Sequence, residues 1–587
     1  MLFVELSGVQ VNYNKQELEL LAKNQIVTKE QSCSELEKDT LLIWNSEEVY
    51  SNDAKTEFDV ILQDMKVGVE EINVKDQSIP DFSKYEVVIV LLSDLRVIRT
   101  EISRLCDWVY HGGNVLLPLT LEKNAYTYAI ENKIGIQESM DYSYVDQIYP
   151  VEGFMIGGGQ SYVVTDAYHS ARTVRLTSDN TTVYAAEGDI EGVPLIWESD
   201  YGEGRFVVDN LGICDKAFRG FYAASLSLLT EVYAYPVING SAFYLDDFPS
   251  QIPEGHNDYI TRDYKTTVRD FYVNIWWPDM MNLADRYGLK YTGLAIESYD
   301  NDVDGKTDAK PDASTFLQLG NMLLRMGGEL GYHGYNHQPL ALGNKDYQGI
   351  FEYKTWESYE AMEQAFSVLA EFCEELFPDV EFALYVPPSN LLSDEGRQML
   401  INEFPSIRTY SGIYFPDDAL DFSLLQEFEV DENGIVDQPR IISGCDIDDF
   451  MALGAFSELN MHLVNDHFTH PDDALDPDRG AELGWEELSR RFESYLQWLY
   501  QSVPELRNFT GTELSAAVQR YVAVTPHKEL KDDEMILTLD NFYDDAQFLI
   551  RFNDKEPGKV EGGTLTNLTG NLYLLEAKEA VVTIGLQ

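Results

Sequence analysis

The stretch Ala242-Phe243-Tyr244-Leu245-Asp246-Asp247 joins an apolar, β-prone run to two adjacent acids. A second polar group, His333-Gly334-Tyr335-Asn336-His337, begins 86 residues after the second acid. A hydrolytic metal site takes three protein nitrogen or oxygen ligands and leaves a further position for water, whose pKa then falls to about 7. One carboxylate and two imidazoles complete such a set. We therefore predict a metal site built from these two segments.

The roles within this site follow from its spacing. Histidines four residues apart lie on one face of a helix, and they also converge from a turn that follows a strand. We expect His333, His337 and Asp247 to bind a divalent transition metal, zinc or a similar ion. Asp246 is then left beside the metal as the candidate catalytic base.

Around the paired acids, from residue 236 to 520, apolar strand-like runs alternate with helical ones. Six or more β/α repeats predict a distorted β/α barrel, a fold that places its chemistry at the carboxyl ends of its strands. Asp246, Asp247 and His333 follow such runs. The predicted strands are 242–245, 291–296, 329–332, 381–386, 440–443 and 461–465, and the predicted helices are 282–287, 315–326, 358–376 and 485–503.

The flanking regions have different patterns. Residues 1–235 begin with a βαβ rhythm (strands 41–44, 67–74, 86–92 and 114–117; helices 54–65 and 99–110), which predicts a doubly wound parallel sheet. Residues 521–587 are rich in strands and turns and predict a small β domain. The fold class is therefore α/β, with domains at 1–235, 236–520 and 521–587.

The amino-acid composition limits the classes of molecule that we expect this protein to bind. The 101 acids outnumber the 42 bases and give a formal charge of -59, a surface that repels phosphate backbones, so we expect no nucleic-acid partner. The five cysteines are scattered and form no CxxC motif, so their spacing predicts neither a disulfide framework nor a thiolate zinc site. No membrane span and no signal peptide are visible.

The paired acids and the H-x-x-x-H segment, in this order on a β/α barrel, resemble the polysaccharide deacetylase (NodB-homology) superfamily. That family carries T-F-D-D-G, with a catalytic base followed by a metal ligand, and H-[ST]-x-x-H, with two ligands. The resemblance implies the base role for Asp246 and the ligand role for Asp247, His333 and His337.

Two further motifs of the superfamily are expected downstream. R-x-P-[YF] falls at Tyr385-Val386-Pro387-Pro388, so the resemblance implies that Tyr385 and Pro387 contact substrate, and that Asp246 lacks the arginine that orients the base. The last motif ends a strand with a histidine that acts as general acid. We favour His470, which precedes a proline, and His467 stays open as the alternative.

Two other groups have open interpretations. Trp276 and Trp277 are either sugar-stacking platforms or core residues. The run 300–308 fits the first nine positions of a calcium loop, although Pro311 replaces the glutamate expected at position 12, and a solvated acidic loop is the alternative. The candidate calcium ligands are Asp300, Asp302, Asp304 and Asp308.

Residues 107–115 resemble the amidotransferase-like or flavodoxin-like accessory domains found beside carbohydrate enzymes. An amidotransferase needs a cysteine nucleophile on a tight strand-to-helix turn, whereas Cys106 is predicted inside a helix on its apolar face. We therefore expect Cys106 to be a core residue. The whole arrangement is similar to an exopolysaccharide-operon branch of the superfamily, in which an amidotransferase-like domain precedes the deacetylase barrel.

The resemblance implies a metal-dependent deacetylase that acts on an acetylated, amino-sugar polysaccharide, outside the cell or at its envelope. A cytoplasmic location is the alternative. Two other functions stay open: a degenerate barrel that only binds polysaccharide, and a glycoside hydrolase with two carboxyls about 5 to 10 Å apart. The sugar, its linkage and the oligomeric state are left open.

Overall fold

The protein has a mixed α/β fold with several separate sheets, which agrees with the α/β class predicted from the sequence. A computed structural model describes residues 17–165, 170–307, 313–343, 347, 350–416 and 423–587. Among these residues no helix combines the length and the apolar character needed to cross a membrane.

The amino-terminal sheet begins as a parallel sheet and continues as an antiparallel one. The described elements of this part are β1 (Thr40–Trp44), β2 (Val69–Asn73), β3 (Val87–Leu91), β4 (Asn114–Leu117), β5 (Ile136–Tyr144), β6 (Gln147–Pro150), β7 (Tyr162–Val163), β8 (Ser170–Leu176), β9 (Thr181–Glu187), β10 (Pro194–Tyr201) and β11 (Gly204–Asp209), with α1 (Lys29–Cys33), α2 (Val49–Asp64), α3 (Ile102–Tyr110), α4 (Ala125–Ile130) and α5 (Arg219–Leu226).

The strand order of this sheet is β2-β1-β3-β4-β11-β10-β9-β6-β7, and β5 pairs separately with β8. Strands β1 to β4 are parallel, as predicted, and β11 is parallel to β4. All five residues of β3 are buried, as expected for a parallel strand that is covered on both faces. Cys106 is 4% exposed on the apolar face of α3, which confirms its prediction as a core residue.

The central part is built on a curled parallel sheet. Its elements are β12 (Val232–Val237), β13 (Gly240–Leu245), β14 (Tyr291–Ile296), β15 (Glu329–Gly334), β16 (Leu384–Tyr385), β17 (Thr409–Tyr410), β18 (Glu429–Val430), β19 (Val436–Asp437), β20 (Ile442–Ser443), β21 (Val464–Thr469) and β22 (Asn508–Phe509), with α6 (Asp258–Tyr264), α7 (Val268–Phe271), α8 (Trp277–Tyr287), α9 (Ala313–Arg325), α10 (Tyr359–Leu376), α11 (Asp394–Glu403), α12 (Asp449–Met461), α13 (Trp485–Ser502) and α14 (Gly511–Ala523).

The order β19-β17-β16-β15-β14-β13-β21-β20 is parallel throughout, and β18 adds an antiparallel edge. The segment between β19 and β20 bonds to the chain near both ends of this series. Arg440 N donates to Gly412 O beyond β17 at 3.1 Å, and Ile441 N donates to Asp466 O in β21 at 2.8 Å. The sheet therefore curls on itself, and the carboxyl ends of its strands face a common edge.

One predicted strand is displaced. The sequence predicts a strand at 461–465, whereas α12 extends to Met461 and β21 begins at Val464. The chain reverses at Leu463, whose φ of 52° lies in the left-handed region. The apolar residues at this reversal resemble the start of a strand, which explains the error. As a result His467 lies inside the strand and His470 directly follows it.

The carboxyl-terminal strands form two four-stranded sheets with a common apolar core. The first has the order β12-β25-β28-β27, so β12 crosses the predicted boundary at 235/236 and joins the last part of the chain. The second has the order β23-β24-β29-β26. The strands are β23 (Thr525–Leu530), β24 (Glu534–Asp540), β25 (Ala546–Phe552), β26 (Pro557–Glu561), β27 (Gly563–Thr569), β28 (Leu572–Ala577) and β29 (Val581–Leu586).

Trp276 and Trp277 are core residues, so their assignment as sugar-binding residues is wrong. Each is only 1% exposed. The ring of Phe248 lies 5.5 Å from that of Trp276 and 4.7 Å from that of Trp277, measured between centroids. Because both indoles are covered by neighbouring side chains, neither offers a free face to a pyranose ring.

A buried charge network joins the amino-terminal part to the central part. His462, after α12, lies with Nδ1 2.6 Å from Glu458 Oε2 and Nε2 3.1 Å from Asp64 Oδ2 of α2. Lys29 Nζ lies 2.5 Å from the other oxygen of Asp64. Burial disfavours the imidazolium, but the two carboxylates outweigh it and raise the pKa of His462 to about 9.

Replacing Trp276 by Ala should lower the free energy of unfolding by about 3 to 5 kcal/mol, because a large buried side chain leaves a cavity. The matched control is Tyr128→Ala, at a tyrosine that is 52% exposed, with an expected change within about 0.5 kcal/mol. Urea denaturation followed by circular dichroism measures both. Equal stability of the two variants would contradict the core assignment.

Stability should also fall at alkaline pH through His462. Its pKa is about 9 in the folded protein and about 6.5 in an unfolded chain. The charged histidine therefore contributes its full stabilisation, on the order of 3 kcal/mol, below pH about 6.5, and this is lost as pH rises through about 9. The urea midpoint, measured at pH 6.5 and 9.5, should fall less in His462→Gln than in the wild type. His527→Gln, at a histidine whose side chain is 40% exposed, is the control; identical pH profiles for all three proteins would refute the role of His462.

Candidate metal centre

The candidate ligands lie at the carboxyl edge of the curled sheet. Asp246 and Asp247 directly follow β13, His333 is the penultimate residue of β15, and His337 lies in the turn after it. Asp247 and His337 both have a φ of 56°. Residues other than glycine adopt this left-handed backbone conformation only where the surrounding structure stabilises it, often at functional sites. The unusual backbone therefore occurs at two of the three predicted ligands.

The three predicted metal ligands converge on one point. Asp247 Oδ1 lies 3.5 Å from Nε2 of His333 and 3.6 Å from Nε2 of His337. Atoms that bind a tetrahedral metal at about 2.1 Å lie roughly 3.4 Å from one another. Asp247 Oδ1 is buried and has no hydrogen-bond partner among the described residues. An oxygen and two nitrogens in this arrangement fit a divalent metal.

The protonation of these residues agrees with a ligand role. Burial lowers the pKa of His333 to about 4 and also lowers that of His337, so both imidazoles are neutral at pH 7. A metal ligand must be deprotonated in this way. Burial, together with the nearby carboxylates of Asp472 and Asp246, raises the pKa of Asp247 to about 7, and a bound cation would favour its ionised form.

Backbone and side-chain groups orient the two imidazoles. His333 Nδ1 donates to the carbonyl oxygen of Val386 at 2.8 Å, which leaves the lone pair of Nε2 directed to Asp247. The hydroxyl of Tyr353 lies 3.2 Å from His337 Nδ1 and 2.7 Å from Ser389 Oγ. Hydrogen bonds of this kind fix the ring orientation of metal-binding histidines.

The structure gives no support for the predicted contact between Tyr385 and substrate, and the contact of Pro387 stays a prediction. Tyr385 and Pro387 are both buried. The ring of Tyr385 packs 5.8 Å from that of Phe366 in α10, measured between centroids. Because the side chain of a strand residue points to one face of the sheet, Tyr385 faces the helical layer. The segment 385–387 supplies the Val386 carbonyl to the site.

An arginine does orient the candidate base, contrary to the prediction from the third motif. Arg440 Nη1 lies 2.9 Å from Oδ1 and 2.6 Å from Oδ2 of Asp246. Both residues are 2% exposed. Burial opposes ionisation of Asp246, but Arg440, His333 and His470 together hold the pKa of its carboxyl below its usual value. The base is therefore ionised, and its arginine comes from the segment between β19 and β20.

The structure separates the two candidate acids. His470 lies beside the base, with Nε2 3.7 Å from Asp246 Oδ2 and Nδ1 3.3 Å from Asp473 Oδ1. Burial lowers the pKa of His470, but Asp473 outweighs this and leaves it raised. His467 is fully buried, with its ring 5.2 Å from that of Phe492 and its Nε2 2.7 Å from the carbonyl of Gly444. It packs inside the protein and does not face the site.

A second acidic group adjoins the site. His470, Asp472 and Asp473 lie close enough together to hold a cation, as do the three predicted ligands. However, Arg479 Nη1 lies 2.9 Å from Asp472 Oδ1 and 3.5 Å from Asp473 Oδ1. The guanidinium already supplies positive charge to these carboxylates, so this group competes poorly for a metal.

In the described part of the candidate calcium loop, two of the three candidate carboxylates, those of Asp300 and Asp304, accept from protein donors. Asp300 Oδ1 accepts from Asn336 Nδ2 at 3.0 Å, and Asp304 pairs with Lys306. Asp302 is in the same loop, and Asp308 lies outside the described residues. No clustered set of three or more candidate ligands in the described chain includes a residue of this loop. Calcium binding stays a prediction without structural support.

Sequence reasoning missed the roles of Arg440, Asp473 and Tyr353. A signal existed for Arg440, because it is a single charge in the otherwise uncharged run Gln438-Pro439-Arg440-Ile441-Ile442, and a buried arginine is nearly always paired. Asp473 follows His470 by three residues, which places it within reach in one turn. Tyr353 is sixteen residues from His337, and nothing in the local sequence indicates their contact.

The purified protein should bind about one divalent metal ion, and His333→Ala and His337→Ala should each lose most of it. The physical reason is that each removes one of three ligands. Metal analysis by mass spectrometry measures occupancy, and Asp472→Asn is the matched control from the neighbouring group. Wild-type occupancy in both histidine variants, with loss in Asp472→Asn, would move the metal to the other group.

The solved structures that match this chain are distant from it. A cold-adapted β-galactosidase from Rahnella sp. R3 is 16% identical with a TM-score of 0.25, covering 34% of this chain and 34% of that one. A ThuA-like protein from Parabacteroides merdae is 15% identical with a TM-score of 0.23, covering 30% and 82%. An arabinopyranosidase from Geobacillus stearothermophilus is 10% identical with a TM-score of 0.26, covering 60% and 97%.

The chain thus spans about a third of the length of the β-galactosidase that it matches. No curated protein matches it. A family model described as an uncharacterised protein conserved in bacteria, DUF2194, matches residues 25–172 and 159–574. These matches include all the residues of the candidate metal centre, and the chain therefore belongs to the DUF2194 family.

Proposed function

We propose that this protein is a metal-dependent deacetylase that removes acetyl groups from a polysaccharide, most simply an amino-sugar exopolysaccharide. The observation that carries the proposal is that the two adjacent acids, Asp246 and Asp247, have different partners. Asp247 faces two imidazole nitrogens at 3.5 and 3.6 Å, whereas Asp246 is paired with Arg440. The order of these residues is that of the polysaccharide deacetylase superfamily, which the sequence resembles.

The same resemblance assigns the parts of the chain. The curled sheet with its helices is the deacetylase-type barrel, and the amino-terminal sheet is the amidotransferase-like accessory domain. The carboxyl-terminal strands form a small β domain. We place the protein outside the cell or at its envelope, because a polysaccharide substrate of this kind is found there.

Asp247, His333 and His337 would hold a divalent metal, which would supply Lewis-acid polarisation of a water and of the acetyl carbonyl. Asp246 acts as general base and takes a proton from the attacking water. Arg440 keeps Asp246 ionised and fixes its orientation, since a carboxylate with two close contacts to one guanidinium nitrogen cannot rotate freely.

His470 supplies the proton that the departing amine or alcohol needs. Its Nε2 is on the side of Asp246, and Asp473 lies 3.3 Å from its Nδ1. Because Asp473 favours the imidazolium, His470 holds a proton for transfer. Asp246 as base and His470 as acid thus lie at the same edge of the sheet, and together they serve the cleavage of an acetyl ester or amide.

This arrangement favours a deacetylase over a glycoside hydrolase. A glycoside hydrolase needs a protonated acid and a second carboxylate on opposite sides of a glycosidic bond. Here one of the two adjacent carboxylates is held by Arg440 and the other faces the imidazole pair. A polysaccharide-binding barrel without activity would not need a general acid beside the base.

The protein should release acetate from partly acetylated amino-sugar polymers, lose this activity with a chelator, and regain it with added metal. Asp246→Asn removes the candidate base and leaves the three candidate metal ligands unchanged, so it should bind metal and lose activity by about 100-fold or more, with a lower stability because Arg440 loses its charged partner. His470→Ala should lose a similar factor. Asp285→Asn, at an exposed acid of α8, is the control and should match the wild type.

Acetate release is measured enzymatically, with reducing ends assayed in parallel. Release of reducing ends without acetate would favour a glycoside hydrolase. Binding of the polymer without either product would favour a binding module. Full activity in His470→Ala would show that the proton donor is wrong, even if the metal centre is correct.

A further inference from the structure

A cavity lies at the carboxyl edge of the amino-terminal sheet. Its lining residues fall between positions 50 and 215, outside the segments that form the candidate metal centre. Its volume is about 560 Å³. Residues from the start of α2 and from the loops after β3 and β4 line it, together with a strand residue of β5. The lining residues used below are Tyr50, Asp53, Thr120, Glu122, Tyr142 and Asp215.

This edge is where doubly wound sheets bind ligands. The chain passes from β1 to β2 on one side of β1 and then to β3 on its other side, so the crevice between β1 and β3 is a topological switch point. In open α/β sheets, ligands bind outside the carboxyl ends of the strands at such a point. The cavity is lined by Ser93, which follows β3, and by Tyr50 and Asp53 of the helix that follows β1.

The cavity is suited to binding and carries no catalytic dyad. Cys214 lines it, but burial raises the pKa of its thiol well above the usual value, so it is not a nucleophile. Ser93 donates to Glu48, and none of the described lining residues is a histidine that could activate it.

The polar lining residues fit a polyhydroxylated ligand. Thr120 lines the cavity, and its Oγ1 has no hydrogen-bond partner among the described residues. Tyr50 and Tyr142 are 69% and 44% exposed, unlike most large aromatic residues of the chain. Exposed tyrosine rings pack on the C–H faces of sugars, while hydroxyl and carboxylate oxygens bond to sugar hydroxyls.

The charge of the cavity selects a cationic form of such a ligand. The charged residues that line it, Asp53, Glu122 and Asp215, are all acids. Two bases lie at its rim: Arg96 is 3.3 Å from Glu122, and Lys123 Nζ is 5.0 Å from the centre of the Tyr142 ring. This ammonium group also lies 2.8 Å from Asp141 Oδ1, so the ring and a carboxylate share it. A phosphate or a uronic acid would meet net negative charge here.

We propose that this cavity binds an oligosaccharide with free amino groups, of the glucosamine type. Its amines would lie against the acids and its ring faces against Tyr50 and Tyr142. The barrel reaction proposed above would generate such a ligand, because removing N-acetyl groups exposes amines. The amino-terminal domain would then hold the product chain close to the enzyme.

Isothermal titration of the full-length protein tests the site with two probes, a fully deacetylated glucosamine tetramer and its fully N-acetylated counterpart. The deacetylated tetramer should bind at least 10-fold more tightly. Tyr142→Ala should weaken its binding about 10-fold, as expected for loss of one stacked ring, and Asp53→Asn several-fold. Tyr128→Ala, at an exposed tyrosine outside the cavity, should bind as the wild type.

Wild-type affinity in both Tyr142→Ala and Asp53→Asn would overturn the proposal, and so would equal affinity for the two tetramers. Asp53 is exposed and the change to Asn is isosteric, so this variant should fold even if Tyr142→Ala does not. All titrations use protein that also carries Asp246→Asn, so that binding is measured without turnover of the acetylated tetramer. Failure of the barrel to release acetate would therefore leave this outcome interpretable, and acetate release from a short substrate should be unchanged in Tyr142→Ala.

Discussion

The ion pair between Asp246 and Arg440 is the interaction on which the rest of the site depends. Both residues are 2% exposed, and a buried charge is tolerated only when it is paired. Removing one partner would leave the other uncompensated, at a typical cost of about 3 to 5 kcal/mol. Arg440 belongs to the segment that bonds to Gly412 beyond β17 and to Asp466 in β21. The pair therefore links the curling of the sheet to the position of the base.

With Asp246 held in this way, the adjacent acid has a different environment. Asp247 has a left-handed backbone, and its carboxylate is directed to His333 and His337. Two neighbouring carboxylates in one site would otherwise repel each other, and one would become protonated. Arg440 neutralises the first, and the ligand geometry around the second provides a place for a metal. Next to Asp246, Asp473 outweighs burial and raises the pKa of His470, which favours its imidazolium form. The candidate acid, base and metal ligands thus have separate environments within one edge of the sheet.

The local patterns in the sequence were sufficient to predict the β/α alternation, the paired acids and the histidine pair, because each depends on residues close together in the chain. The partners of these residues come from distant segments. Arg440 is 194 positions from Asp246, and Val386 is 53 positions from His333, so spacing contains no information about either contact. The errors also have physical causes. Burial of Trp276, Trp277, Tyr385 and His467 depends on neighbouring layers, and the helix-to-strand reversal at Leu463 displaced the predicted strand.

The central claim is that Asp247, His333 and His337 hold a metal beside a base that is fixed by Arg440. Anomalous X-ray scattering from crystals of the metal-loaded protein, collected on both sides of the zinc absorption edge, tests it most directly. The account predicts one anomalous peak about 2.0 to 2.2 Å from Asp247 Oδ1 and from Nε2 of both histidines. A crystal of zinc-loaded protein with no peak there, or with its peak among His470, Asp472 and Asp473, would contradict it.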